Sequence, residues 1–143
     1  MKKLFLLIFF SSILCTVGFS EDLVNVDIKK LKKIYTSEIK LAFKDKRMTG
    51  YYDPDGGEKT VFVSIYDSNG DYFNETYLFK ISGKWKVEND KLCFNAFETT
   101  PLDTDKTFMC SFVYTKYDMV YYLLNASLQN YPFAKITSSE NLK

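Results

Sequence analysis

Histidine is absent from this 143-residue chain. That absence removes the usual general base at neutral pH, the His-dependent triads and the commonest metal ligand. Cysteine is scarce, with three residues, and none of them forms a C-x-x-C pair that would suggest a redox-active dithiol. No serine stands in a G-x-S-x-G elbow. Paired carboxylates can do acid–base work, but most Asp and Glu here fall in turn signals. The chain therefore reads as a non-enzyme, with no cofactor and no metal implied. After residue 20 no apolar run approaches the ~20 residues of a membrane-spanning helix. Charge of one sign is also missing. Nineteen basic and 18 acidic residues give +1, and losing Lys2 and Lys3 with the leader takes the net charge to about −1. Without a basic excess there is no electrostatic footprint for nucleic acid.

Met1 to Ser20 has the organisation of a secretory signal peptide. Lys2 and Lys3 form the basic region, Leu4 to Phe10 the core of the apolar region, and Gly18 and Ser20 the small residues before a cut ahead of Glu21. An uncleaved anchor is the alternative. Cys15 lies in this segment, and bulky Leu14 before it argues against lipidation. The short Lys-Lys leader has a bacterial character, so the sequons at Asn74 and Asn125 carry no weight. The expected location is periplasmic or secreted, with 21–143 as one domain in an oxidising compartment.

Aromatics are abundant, with 11 Tyr and 13 Phe, which suits sheet and a well-filled core. Asp27 is placed to cap a helix from Ile28 to about Phe43, whose stripe is Ile28, Leu31, Tyr35, Ile39 and Ala42. Lys29, Lys30, Lys32, Lys33 and Lys40 decorate its other face, which is either solvated or available to anionic headgroups. Alternation then predicts strands over Met48 to Tyr52 and Thr60 to Tyr66. The Asn69-Gly70 turn leads into a return strand over Tyr72 to Ile81. That turn predicts a register pairing Phe62 with Tyr77 and Tyr66 with Phe73. Ser82-Gly83 is expected to turn into the Trp85 strand. Asn89-Asp90 joins Lys84–Glu88 to Lys91–Phe97 as a tight hairpin. Thr107 to Tyr114 follows the polar loop Glu98 to Asp105. Met119 to Asn125 comes next, and Phe133 to Thr137 is a short edge strand ahead of a frayed Ser138–Lys143 tail.

A register centred on Pro101 and Leu102 sets Cys93 opposite Cys110, with Cβ atoms roughly 4.5–5.5 Å apart, close to what a disulfide requires. Two free buried thiols are the alternative. Phe62, Tyr66, Phe73, Tyr77 and Trp85 are the candidate ligand-lining residues, with Phe94, Phe108 and Phe112 as further candidates; filling a core is the competing role. Asp67, Asn69 and Asp71 begin like a calcium loop, but Tyr72 stands where Gly is needed and Leu78 where the bidentate Glu is needed. Asp53, Asp55 and Glu58 read as a turn in the same way.

Gly50-Tyr51-Tyr52, Gly83-Lys84-Trp85, Leu92-Cys93, Cys110 and Pro132 to Ile136 together resemble small, largely uncharacterised exported proteobacterial proteins. Those carry an N-terminal helix, a G-x-W strand, an L-C strand and a second Cys. The resemblance implies a periplasmic helix-plus-sheet domain without defined catalytic residues. The G-x-W is also similar to that of lipocalin-like barrels, although there it opens the first strand and here it lies mid-chain. The expected fold is mainly β: an antiparallel meander curled into a small barrel or strongly twisted sheet, with one N-terminal helix packed on it. The expected function is non-catalytic binding of a small apolar or amphipathic ligand or an envelope component. The alternative is a protein–protein module, an inhibitor or assembly accessory, acting through a sheet edge or loop.

Overall fold

Alternating apolar and polar side chains, rather than any long apolar run, build a closed eight-stranded antiparallel barrel with one extra strand and one short helix. The computed structural model describes residues 21–53, 56–97, 108–125 and 130–143. The leader and the Glu98–Asp105 loop lie outside the described residues.

Two 3-10 turns, Leu23–Asn25 and Ile28–Lys30, precede β1 (Lys32–Ile34) and α1 (Thr36–Phe43). A meander follows: β2 (Lys46–Tyr52), β3 (Thr60–Tyr66), β4 (Asp71–Thr76), β5 (Lys80–Glu88), β6 (Lys91–Phe97), β7 (Met109–Tyr117), β8 (Val120–Asn125) and β9 (Ala134–Asn141). Each strand from β2 to β9 pairs with its neighbour in sequence, and β9 returns to pair with β2. The last strand is therefore not an edge. It closes the barrel, and it runs on through Ser138 to Asn141, which pair with Lys46 to Thr49 and are not frayed.

The expected sixteen-residue helix is half that length. Asp27 does accept a hydrogen bond from Lys29 N, at 3.1 Å, but it caps only a 3-10 turn. The reason lies in β7. Its edge pairs with β6 up to Ser111, and Val113 to Thr115 are left to pair with Ile34 to Lys32. Lys32–Ile34 is captured as a strand, and the helix begins afresh at Thr36. Asp90 receives that new helix start: its Oδ1 accepts from Thr36 N at 3.0 Å and Thr36 Oγ1 at 2.7 Å. Those two bonds, with a lesser contribution from Lys33, hold the Asp90 carboxyl below its ordinary value.

Asn89 and Asp90 both have positive φ, the type I′ geometry expected of a two-residue hairpin. The β3–β4 hairpin is shifted by one residue from the expected register. Phe62 faces Thr76 and Tyr66 faces Tyr72. One residue of slip exchanges the faces of the return strand, so Phe73 and Tyr77 point outward. The return strand also ends early. Thr76 Oγ1 accepts from Leu78 N and Phe79 N at 3.1 Å each, which turns the chain at Tyr77-Leu78-Phe79. Gly83 is no turn but the middle of β5, where an added Cβ would lie 1.7 Å from Asn95 O.

Two cores result. The inner one fills the barrel and includes Met48, Phe62, Tyr66, Tyr72, Leu92, Phe94, Val113 and Ile136, with Ile39 and Phe43 of α1 plugging one end. The outer one lies under the N-terminal segment, where Leu23 is buried against Tyr51 and Tyr122. That segment is pinned at its start. Leu23 N donates to buried Asp53 at 2.8 Å, Tyr51 OH to the Glu21 carbonyl at 2.8 Å, and Tyr122 OH and Lys135 to the Glu21 carboxylate at 2.8 and 2.9 Å.

Cys93 and Cys110 face each other on β6 and β7 and form the disulfide, with Cα atoms 4.0 Å apart. Replacing both with Ala should lower stability by about 3 kcal/mol for a loop of this size, read as a shift of the urea midpoint against the oxidised parent. The pinned N-terminal segment makes a second prediction. Burial pushes the Glu21 carboxyl up, but hydrogen bonds from Lys135 and Tyr122, with the Lys135 charge, outweigh it and hold the group below its ordinary 4.5. A depressed value stabilises the fold above 4.5 and loses that contribution as pH falls through the folded value. Glu21→Gln should therefore lower the thermal midpoint at neutral pH, and the gap between variant and parent should close as pH is taken below 4.5.

Candidate functional site

Three features of the barrel can be weighed as sites: its interior, a saddle on its outer face, and a groove beside α1.

Of the candidate ligand-lining residues, the structure brings Phe62, Tyr66 and Trp85 together inside the barrel, with Phe94. Phe73 and Tyr77 are on the outside for the reason of register given above. Phe112 is also outward, with the ammonium groups of Lys33 and Lys91 at 4.0 and 5.1 Å from its ring centre. Phe108 lies under Lys86, 4.5 Å away. The inward rings pack on one another. Tyr66 meets Phe43 and Trp85 edge-on at 5.1 and 5.6 Å, and Tyr72 stacks on Phe94 at 5.0 Å. Trp85 also donates its indole N–H to Asp67 O at 2.9 Å, tying the interior to the β3–β4 turn. Eight strands enclose a space that side chains can just fill, and here aromatic rings fill it.

Within that packing lies a polar cluster. Asn74 Nδ2 donates to Ser64 Oγ at 2.6 Å and to Tyr52 OH at 3.1 Å, with the Tyr66 and Tyr72 hydroxyls joined to the same group. Asn74 is fully buried and its Oδ1 has no hydrogen-bond partner. Burial pushes the hydroxyls of Tyr52, Tyr66 and Tyr72 above their ordinary value. They stay protonated at neutral pH, so the cluster can exchange hydrogen bonds but offers no base. Burial of Asn74 also makes its glycosylation incompatible with the folded barrel.

The saddle, of about 550 Å3, lies on the outer face of β3–β5, where Ser82 and Gly83 present little side chain. Its charged rim is already engaged: Asp71 pairs with Lys84. Asp67 Oδ1 accepts from Asn69 N and Asp71 N at 2.9 and 2.8 Å. These bonds give the Asp67–Asp71 motif the chemistry of a turn.

The groove beside α1 is of different construction. Its volume is about 510 Å3, within the range of small-molecule sites. Ile34 of β1, Ala42 of α1 and Tyr121 of β8 supply apolar surface. Leu41 and Met119 line the same groove and are 81% and 58% exposed. Met119 sits at the β7–β8 turn with φ +65°, a left-handed conformation that a non-glycine residue holds at a cost of about 1 kcal/mol. Thr115 Oγ1 braces that turn against Tyr117 O and Val120 O at 2.6 and 2.9 Å. Several of the surrounding charges are paired locally, while Lys46 meets only a neutral amide. Lys32 pairs with Glu38 at 2.7 Å, Glu140 with Arg47 at 2.6 Å, and Lys46 bonds Asn141. The expected basic helix face is thus divided among a 3-10 turn, β1 and α1.

Sequence reasoning missed this groove because its walls come from elements far apart in the chain. The one local signal was Met119 beside Asp118, an apolar residue in a turn.

No family model matches the chain, and no curated protein or solved structure matches it. Among the described residues, no helix is long and apolar enough to cross a membrane.

Trp85 tests the interior packing. Trp85→Ala should cost about 3 kcal/mol in urea unfolding, since it empties space beside Tyr66. Trp85→Phe, which keeps a ring but loses the bond to Asp67, should cost only about 1 kcal/mol.

Proposed function

We propose that this is an exported, non-catalytic binding protein that takes a small, neutral amphipathic molecule in the groove between α1 and the β7–β8 turn. The observation that carries the reading is the pairing of an exposed Leu41 with an exposed, left-handed Met119 over the apolar surface of Ile34, Ala42 and Tyr121. Exposure of large apolar side chains and backbone strain both oppose folding, and a ligand that covers them recovers the solvation cost. Two closed ion pairs, Lys32–Glu38 and Arg47–Glu140, with one further lysine, Lys46, and one further carboxylate, Asp118, of opposite sign on the rim favour a neutral or zwitterionic headgroup over an anion. A chain without histidine, whose buried phenols stay protonated, favours binding over catalysis. Export is supported by the leader's composition and by a disulfide, which persists in an oxidising compartment.

The aromatic-lined interior is a weaker home for the ligand, because its rings already occupy one another. The protein–protein alternative through a sheet edge is weakened by closure: every barrel strand is paired on both sides, and among the described residues only β1, three residues long, has a free side.

Native mass spectrometry of the protein purified without reductant should show an adduct that is lost on denaturation. Titration with monolaurin should shift the NMR methyl signals of Leu41 and Met119. Leu41→Ser with Met119→Ser should weaken that binding at least tenfold, or about 1.4 kcal/mol, and leave the thermal midpoint nearly unchanged. Shifts centred on Phe62 and Trp85 instead would return the ligand to the barrel interior.

A further inference from the structure

Phe112 stands where β7 changes its neighbour. Ser111 pairs with Leu92 of β6 and Val113 with Ile34 of β1, so those two strands meet end to end beside it. Leu92, Val113 and Ile34 belong to the inner core. Side chains alternate along a strand, so Lys91, Phe112 and Lys33, next to those three, share the outer face. The topology thereby brings two ammonium groups onto one ring, Lys33 at 4.0 Å and Lys91 at 5.1 Å from its centre.

Like charges gathered on one ring repel, and nothing described here separates or neutralises them. Their neighbours are answered by carboxylates: Lys32 by Glu38, Lys84 by Asp71 and Lys86 by Glu88. Among the described residues neither Lys33 nor Lys91 forms an ion pair. The carboxylates beside them are committed elsewhere. Asp90, which feels the Lys33 charge, accepts from the amide and hydroxyl of Thr36. Glu88, opposite Lys91 in the β5–β6 hairpin, pairs with Lys86 at 3.0 Å. The ring face attracts a cation, but each ammonium has three N–H groups to donate.

We propose that Lys33 and Lys91 bind a phosphate group over Phe112. An anion with several oxygens can accept from both ammonium groups at once and cancel their repulsion. Two positive charges favour a phosphomonoester, doubly charged through most of the neutral range, over a singly charged diester. The Phe112 ring gives the carbon chain of the ester an apolar floor, and the Tyr35 ring, 5.6 Å from the Lys33 ammonium, adds a second aromatic surface. The parts are already in place. Phe112 is two residues from the bridged Cys110, Lys91 follows the tight Asn89-Asp90 turn, and Lys33 is fixed opposite Tyr114. Little ordering is left to oppose binding.

A phosphomonoester is found on soluble molecules and on phosphatidic acid, so the test has two arms. In the first, the oxidised protein is titrated with glycerol 3-phosphate at constant ionic strength and the lysine side-chain NMR signals are followed. Saturable shifts confined to Lys33 and Lys91 are expected. Lys33→Gln or Lys91→Gln should weaken binding about tenfold, Lys33→Arg should keep it, and Lys40→Gln, on α1, should change nothing. In the second arm, phosphatidylcholine vesicles containing phosphatidic acid are offered. Uptake lost in the same two variants would place the phosphate on a lipid headgroup; a saturable titration without uptake would place it on a soluble molecule. The proposal is overturned if the titration does not saturate, or if its shifts spread evenly over exposed Lys29, Lys40 and Lys116, while vesicle uptake is absent or equal in parent and variants. Should a variant not fold, the parent's titration and uptake decide the question alone.

Discussion

Closing the sheet is the constraint on which the rest of this structure depends, and it is met at Gly50. β9 has to lie between β2 and β8, and its register against β2 shifts between Thr49 and Gly50. An added Cβ at Gly50 would lie 2.2 Å from Lys135 O and 2.8 Å from the Phe62 ring. Backbone would press on it from one side and a core aromatic from the other, so only glycine lets β9 approach while Phe62 still fills the barrel. Without that approach β2 and β9 would each present an unpaired edge, and the interior rings would meet water.

Closure also makes the barrel's attachments interdependent. The β5–β6 hairpin supplies Asp90 to the start of α1 and Cys93 to the disulfide. A carboxylate on the first amides of a helix is placed where the backbone dipoles favour negative charge. Helix, hairpin and bridge therefore stabilise one another on one side of the molecule. The N-terminal segment does the equivalent work on the outer wall, where Leu23 seals a small core over Tyr51 and Tyr122. Burial pushes the Tyr51 hydroxyl up to about 12, so it remains a donor to the Glu21 carbonyl throughout the physiological range.

How much was legible in the sequence follows from which features are local. Thr60–Tyr66 and Lys91–Phe97 match their expected bounds, because each is a clean alternation beside a strong turn. The Cys93–Cys110 pairing was legible because a polar loop sets its own centre. Long-range competition was not legible. Nothing between Ile28 and Phe43 announces that Lys32–Ile34 will be claimed by β7, since that depends on where β6 stops. Tyr77-Leu78-Phe79 has the composition of a strand, and the Thr76 hydroxyl and backbone amide turn it. The one-residue slip comes from the β3–β4 turn, where Asp67 N bonds Asp71 O across Ser68, Asn69 and Gly70; it moved Phe73 and Tyr77 out of the candidate site and left Phe62, Tyr66 and Trp85 in it. The α1 groove was almost illegible, being assembled from five strands and a helix.

An eight-stranded barrel can hold a ligand or be filled, and the choice here was made by ring packing. Tyr66 alone contacts Phe43, Tyr72 and Trp85. A ligand entering that space would have to displace aromatic contacts worth about 1 kcal/mol each beyond their buried area. It would also have to open a hydrogen-bonded cluster whose members are satisfied except at Asn74 Oδ1. The cheaper places to bind are those where folding has left apolar surface in water. Among the described residues these include Leu41 and Met119 at one end and Tyr77, Leu78 and Phe79 at the other. Both groups are displayed by braced turns or a capped helix, so little conformational entropy remains to be lost when a partner arrives. The aromatic core therefore does two things at once: it closes the interior to a ligand and keeps the exposed apolar groups of the two ends apart.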